Sequence, residues 1–417
     1  MALLISIIGK GTRSEKDPNA YRTTKYDFGG EEQITSDFFS AIVNSNKYKM
    51  VITDACIIGT ATSAWNSLLD PFKDKGDEEA NDLYLQIDDE IESSEKTGIT
   101  EQSLERLQAM LRIKYPTKKI VLKIVGSELT NENAVHIIDG YLSAMVPFEN
   151  HTEIYLDITH GFRSMPFLML SAIRLLESVT SERKRNINLI YGEYVPERKI
   201  SYVRDMGCIE NYRAITNAVN LFFSKYEPEN LVEYVTPYWS EGARAIGRFG
   251  NTIQANFYSQ LEETLRQAGN SFEKYPENKA PVWLGKVREK FSQLIQRIEK
   301  KETSHEKIFE VAELLAEANL FGNAMIALMI SFEAWVMRDD PDGYTDWEKT
   351  NKKVKKYISK QNRDRGLQRI LNKLKDVRNS VAHGGTRSRT GGLPQPDNLR
   401  SQFDSYKKSV SKVFNNA

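Results

Sequence analysis

The sequence has no apolar run near the roughly 18–20 residues that span a bilayer, so no membrane helix is expected. Its first residues, MALLISIIGKG, lack the length of a signal core, a basic segment before it and a small-residue cleavage site, so no secretory leader is expected. Cysteine is scarce. Cys56 and Cys208 are too few for a disulfide framework or a four-ligand zinc site, and a reducing, cytoplasmic compartment is the simplest expectation. No Walker lysine motif is present, which leaves ATP hydrolysis unsupported. Internal repeats and long low-complexity linkers are missing too. So is net charge, with 57 Lys and Arg against 57 Asp and Glu.

What is present points to a folded protein of more than one domain. A chain of 417 residues exceeds the usual size of a single hydrophobic core. Its 40% hydrophobic and 27% charged content excludes extensive disorder. The zero charge is a balance of unlike parts. Residues 351–417 hold 17 Lys and Arg against four Asp, a net of +13, and the rest of the chain carries −13. Residues 70–101 alone hold 12 acids against three Lys. A basic tail on an acidic chain suits a polyanion partner for that tail, or mutual neutralisation within the fold or across an oligomer.

Through about residue 208, short apolar runs alternate with helical patterns. The runs are LLISIIG (3–9), MVITDACIIGT (50–60), KIVLKIVG (119–126), EIYLDIT (153–159) and INLIYGE (187–193). Segments 35–45, 79–113, 133–145 and 165–178 between them read as helices. KISYVRD (199–205) reads as an antiparallel partner of the last run. This order predicts a mostly parallel, doubly wound sheet. Beyond 208 the strand signals stop. Segments 209–226, 238–268, 281–300, 304–338, 347–358, 364–383 and 398–413 read as helices. Leu315, Ala318, Phe321, Met325, Leu328 and Phe332 form one apolar stripe in a continuous helix over 304–338.

Ligands of open parallel sheets sit beyond the carboxyl ends of the strands. Three expected strands end in segments suited to an anion. Gly9, Lys10, Gly11, Thr12 and Arg13 supply glycines for close backbone approach, though only half of a dinucleotide fingerprint. Thr60, Thr62 and Ser63 bring hydroxyls to a helix entry, where capping is the more common role for Thr60 and Ser63. In D-I-T-H-G-F-R-S-M-P, Ser164 is placed to cap a helix whose free N–H groups attract phosphate. Asp157 in that motif reads better as an organiser of the loop than as a catalyst. His160 and Arg163 are poorly explained by core packing. Together the three loops favour an anionic nucleotide.

A second constellation, D-V-R-N-S-V-A-H-G-G, ends a basic helix at residues 376–385. Asn379 and His383 lie four apart on one helix face, with Arg378 beside it. Histidine moves a proton near neutral pH, and arginine holds a phosphate oxygen as charge grows. That set suits RNA cleavage without a metal, in which the ribose 2′-hydroxyl attacks the adjacent phosphate. One Arg and one His make a sparse site, so two copies are expected to combine in a dimer. By spacing alone a helix C-terminus with a capping glycine is the better reading, and the surrounding Arg363, Arg365, Arg369, Lys373, Lys375, Arg387 and Arg389 favour the catalytic one. No close carboxylates with metal-ligand spacing occur there, which disfavours a two-metal nuclease. His305 reads as a solvated helix residue, and His136 and His151 show no partner.

The G-K-G segment, I-I-G-T-x-x-S-x-W and D-I-T-H-G-F-R-S-M-P-F resemble the CRISPR-associated Rossmann-fold sensor domain, CARF. R-N-S-V-A-H-G resembles the R-x4-6-H signature of HEPN ribonucleases, and residues 313–333 resemble an earlier HEPN helix. The resemblance implies a Rossmann-like CARF sensor over 1–208, a helical connector over 209–300 and a HEPN helical bundle over 301–417. It further implies a homodimer or larger homo-oligomer of type III CRISPR defence, switched on by cyclic oligoadenylate to cut single-stranded RNA. No cofactor or metal is implied. Arg378, Asn379 and His383 would form the ribonuclease site. Gly9 to Arg13, Thr60, Thr62, Ser63, Thr159, His160, Gly161, Phe162, Arg163 and Ser164 would line the activator pocket. Cyclic tetra-adenylate is expected ahead of hexa-adenylate, and Thr12 or Thr60 would position a ribose if the domain also degrades its activator. A non-catalytic nucleotide sensor with a structural HEPN module and a constitutive HEPN toxin stay open.

Overall fold

The computed structural model describes every residue except 1, 16, 18–19, 74, 94–97, 127–129, 131–132, 161–163, 181–184, 341–343, 345, 362–363, 383–397 and 416–417. For Thr180, Trp347 and residues 378–382 the description covers the backbone. The chain divides into two compact units, Met1–Asn211 and Tyr212–Ala417.

The first unit is built on eight strands: β1 (Ala2–Ile8), β2 (Thr24–Asp27), β3 (Glu32–Thr35), β4 (Ile52–Gly59), β5 (Lys119–Ile124), β6 (Glu153–Asp157), β7 (Asn186–Val195) and β8 (Ile200–Asp205). Their order in one sheet is β3-β2-β8-β7-β6-β1-β4-β5. The block β5-β4-β1-β6-β7 is parallel throughout, and β8 closes on β7 as the expected antiparallel partner. Alternation within β1 shows why its sequence is apolar at every position but Ser6. Leu4 and Ile8 pack on one face with Phe38, Leu83 and Leu107, whereas Leu3, Ile5 and Ile7 pack on the other with Tyr141, Met169 and Ile173. A strand with both faces covered needs apolar residues on both of them.

The helices sort by crossover. Phe38–Asn44, Glu78–Glu92 and Glu101–Lys114 pack on the first face; Ala134–Met145 and Met165–Thr180 pack on the second. The change of face falls where the chain leaves β5 for β6, so the strand order reverses about β1. A crevice opens at the carboxyl end of the sheet at such a reversal.

The expected six strands are all present, and β2 and β3 are additions. TKYD and EQIT lack the apolar alternation that marks a strand, being polar and at the sheet margin. Gly29 and Gly30, at φ +88° and +105°, turn the chain between them while the Asp27 carboxylate accepts both of their N–H groups. The long polar stretch at 79–113 is two helices, separated by a loop that holds Gly98.

The second unit is helical. Phe222, Phe249 and Phe291 pack edge to face with centroids 5.7–6.5 Å apart, in one hydrophobic cluster running from Ala218 to Val413. Residues on both sides of position 300 share that cluster. The continuous helix expected over 304–338 is two helices, Ser304–Glu317 and Phe321–Val336, broken at Asn319, whose φ is +58°. Asparagine tolerates that left-handed conformation at a helix end. Leu315, Met325, Leu328 and Phe332 of the expected stripe are fully buried regardless. A short helix at Glu229–Val235 also lay outside the expected pattern. His305 packs edge-on against Phe414 at 4.8 Å instead of standing in solvent, and His151 finds Asp54 at 2.7 Å. Among the described residues no helix is long and apolar enough to cross a membrane.

Candidate functional site

The crevice at the carboxyl edge is a cavity of about 660 Å³, within the range of roughly 300–1,000 Å³ usual for ligand sites. All three loops singled out by sequence reach it. Gly9, Lys10, Gly11 and Thr12 come from the end of β1, Thr60 and Ser63 from the end of β4, and Thr159 and His160 from the end of β6.

Backbone stitching makes these loops one rim. Ala64 N–H donates to the Gly9 carbonyl (2.8 Å), and Ser63 Oγ donates to the Ile8 carbonyl (2.9 Å) and accepts from Thr60 N–H (2.9 Å). These hydroxyls therefore fasten the β1 and β4 loops together; the short helix at Trp65–Leu69 has no side-chain cap. Two glycines allow the approach. Gly11 lies at φ +68°, and a Cβ there would stand 2.7 Å from the Tyr21 ring. At Gly59 a Cβ would meet Ile8 at 2.5 Å and the Trp65 ring at 2.8 Å.

Asp157 is fully buried and organises the third loop, as its position suggested. Its Oδ2 accepts from Ser6 Oγ of β1 (2.6 Å) and its Oδ1 from Thr159 N–H (2.7 Å). Thr159 Oγ1 in turn accepts from Gly192 N–H of β7 (2.8 Å). His160 Nε2 shares a hydrogen bond with the Tyr26 hydroxyl at 3.2 Å, and its ring meets Phe38 edge to face. Burial raises the Asp157 carboxyl above its ordinary value and lowers the His160 imidazole below its own, while their mutual attraction opposes both shifts. Ser164 precedes the helix Met165–Thr180, and its carbonyl accepts from Leu168 N–H (3.1 Å), the backbone pattern of an N-cap.

Three of the expected rim residues, Arg13, Thr62 and Ser164, do not line the cavity. Arg13 is bound to Asp88 (2.5 Å) and Glu92 (3.0 Å) and lies over the Tyr21 ring. Burial works against its charge, but these two carboxylates outweigh it and hold the guanidinium above its ordinary pKa. Its positive charge is thus neutralised by the acidic helix Glu78–Glu92 before any ligand arrives. Thr62 lies on the loop but does not line the cavity. Gly161, Phe162 and Arg163 lie outside the described residues.

The cation that sequence reading missed is Arg22, just before β2. It lines the cavity, donates to the Tyr194 hydroxyl at 2.8 Å and has no carboxylate partner among the described residues. With Lys10 it gives the cavity positive charge. Tyr191 and Tyr194 of β7 stand 37% and 40% exposed at the same wall, Tyr194 with the Arg22 guanidinium over its ring at 5.6 Å, so the exposed ring surface suits a planar base. The aromatic spacing in Y-G-E-Y is the signal that would have found them; Arg22 and Tyr26 belong to the edge hairpin and had none.

Asp37 also lines the cavity, as N-cap of the helix Phe38–Asn44, and accepts from Ser40 N–H at 2.6 Å. Burial pushes its carboxyl up to about 7, with Asp70 adding repulsion and its hydrogen bonds opposing. The folded pKa exceeds the unfolded value of about 3.9, so the stability of the neutral form is complete below pH 4 and lost as pH rises to 7. Asn keeps the cap and removes the penalty. Relative to the unmodified protein, Asp37→Asn is therefore expected to gain stability between pH 4 and 7, on the order of 2–4 kcal/mol at the upper end. Urea unfolding across that range measures it; a difference independent of pH would contradict the assignment.

Residues 3–196 match the family model for the CARF domain of the CRISPR system endoribonuclease Csx1. The matched range covers the whole parallel block and all three rim loops. Over that range the chain is similar to CRISPR-associated CARF domains. One relative is the CRISPR-associated protein MJ1674 of Methanocaldococcus jannaschii, 26% identical over 194 residues, which are 43% of this chain and 30% of that protein. The match thus spans under a third of that relative's length. Among solved structures, Enterococcus italicus Csm6 bound to cyclic hexa-2′-fluoro-hexa-dAMP aligns with TM-score 0.34 and 11% identity, over 100% of this chain and 95% of that one. That likeness is too slight to inform the site.

The CARF match lies within the first unit. In the second, Arg378 and Asn379 occupy the last turns of the helix Arg365–Ala382. This helix is fixed by Leu371, Leu374 and Val377, all buried in the shared cluster with the helix Phe321–Val336. Asn379 and Arg378 are described here by backbone alone, and His383 lies outside the described residues.

Proposed function

We propose that this protein is a cyclic-oligoadenylate-activated, metal-independent endoribonuclease of type III CRISPR defence. The observation that carries the activator reading is the rim at the strand-order reversal. Thr12, Lys10 and Arg22 offer phosphate contacts, and Tyr191 and Tyr194 offer ring surface for bases. A cyclic ligand with two-fold symmetry takes the same half-site from each protomer, so a homodimer with paired cavities is part of the proposal. Cyclic tetra-adenylate is the first candidate and hexa-adenylate the second. The ring acts by binding one dimer arrangement better than the other.

The nuclease reading rests on Arg378, Asn379 and His383, in a segment of strongly basic composition, and on the matching model being the CARF domain of an endoribonuclease. In this chemistry the 2′-oxygen bonds to phosphorus as the bond from phosphorus to the 5′-oxygen breaks. His383 assists the proton transfers and Arg378 holds the pentacoordinate phosphate. No step needs a metal. The test of the activator half is calorimetric titration of the protein with cyclic tri-, tetra- and hexa-adenylate. Saturable binding of one ring is expected; no binding of any would remove the proposal.

A further inference from the structure

The second unit carries a separate groove of about 760 Å³, formed wholly by residues 232–260. The helix Glu229–Val235, a four-residue turn and the helix Ser240–Gln254 build it. Ile246, Phe249 and Ile253 of the longer helix are buried in the unit's core. Its opposite face presents Arg244, Arg248 and Asn251 to the groove, at the three- and four-residue spacing of one helix stripe. No carboxylate lines it. Among the described residues Arg244 has only an exposed pair with Glu241 at 3.5 Å, which water screens. Arg248 donates one N–H to Gln267 at 3.0 Å, and its Nε is buried with no acceptor among the described residues. At one end Phe257 stands 59% exposed, an aromatic face left in solvent.

We infer that this groove holds single-stranded RNA. Phosphates match the two arginines, with the exposed Arg244 guanidinium the more accessible, and an unpaired base stacks on Phe257. Duplex DNA fits less well. A helix that reads a duplex must project into a groove about 12 Å wide, and this arginine face instead floors a concavity walled by Val232 and Thr236 on one side and Phe257 and Gln260 on the other. The choice of RNA rests on the nuclease reading above, and the groove would then be where substrate is held apart from the cutting residues.

The experiment measures binding without cleavage. The full-length protein, with no activator, is titrated into a fluorescein-labelled single-stranded RNA and into a duplex DNA of the same length. Arg244→Ala and Phe257→Ala, both at exposed positions, are each expected to weaken RNA binding about tenfold, and Phe257→Trp to retain it. Arg244→Ala is also expected to reduce the salt slope by about 0.7. Unchanged RNA affinity in both alanine variants would overturn the inference, as would a larger loss on duplex DNA than on RNA. RNA binding that depends on the groove, in a protein that no ring activates, would uphold the groove and remove the proposed activation. Ring-dependent cutting with groove variants that bind RNA normally would do the reverse.

Discussion

His383→Ala is expected to lose RNA cleavage by a factor of about 10²–10⁴, the usual worth of a positioned general acid–base, while cyclic oligoadenylate binds as before. The reason for the separation is in the chain. His383 belongs to the second unit, and the cavity is formed by residues of the first alone. Loss of a proton-transfer group leaves the phosphate-holding role of Arg378 in place, so substrate affinity should change far less than turnover. Single-turnover cleavage of a labelled RNA beside a ring-binding titration reads both quantities. Full cleavage by the variant would remove Arg378, Asn379 and His383 as the site and return the segment to a capped helix end.

Arg22→Glu is expected to weaken ring binding by about 100-fold or more. A charge-assisted hydrogen bond contributes about 1.5–3 kcal/mol, and reversal adds repulsion in place of the lost contact. Arg22 is exposed, and its side chain touches Tyr194 through the hydroxyl and the ring face, so the fold should survive. Arg13→Ala is the informative contrast. Its charge already faces Asp88 and Glu92, so its loss should cost stability more than ring affinity. If Arg13→Ala destroyed ring binding and Arg22→Glu spared it, the assignment of the two arginines would be reversed.

That pair also shows what the sequence could and could not disclose. The parallel block was legible because strands covered on both faces are mostly apolar, as β1 is but for Ser6 and as β4 is from Ala55 to Ile58. The strand-end loops were legible because glycine and hydroxyl residues follow those runs directly. The hairpin of β2 and β3 was not, since a polar edge strand carries no periodic signal, and it brings Arg22 and Tyr26 to the cavity from a distance in sequence. Arg13 sat in a suggestive motif, yet its partners come from a helix some 75 residues further on. The break at Asn319 was hidden for a related reason. Apolar periodicity continues across it, and only the backbone angle ends the helix.

The acidic stretch at residues 70–101 acquires a role from the same geometry. Asp88 and Glu92 neutralise Arg13, and Asp88 also accepts from Asn66, which holds the Tyr21 hydroxyl at 2.9 Å. Positive charge for an anion is therefore local, at Lys10 and Arg22, on a unit whose overall balance opposes anions.

The central claim is that ring occupancy switches on RNA cutting without a metal. The most direct test incubates the purified full-length protein with labelled single-stranded RNA in EDTA, with and without cyclic tetra-adenylate, and in parallel with the hexa-adenylate ring. Cleavage that requires a ring, persists in EDTA and ends in 2′,3′-cyclic phosphate is the expected result. Cutting without any ring, or tight ring binding with no cutting, would contradict it.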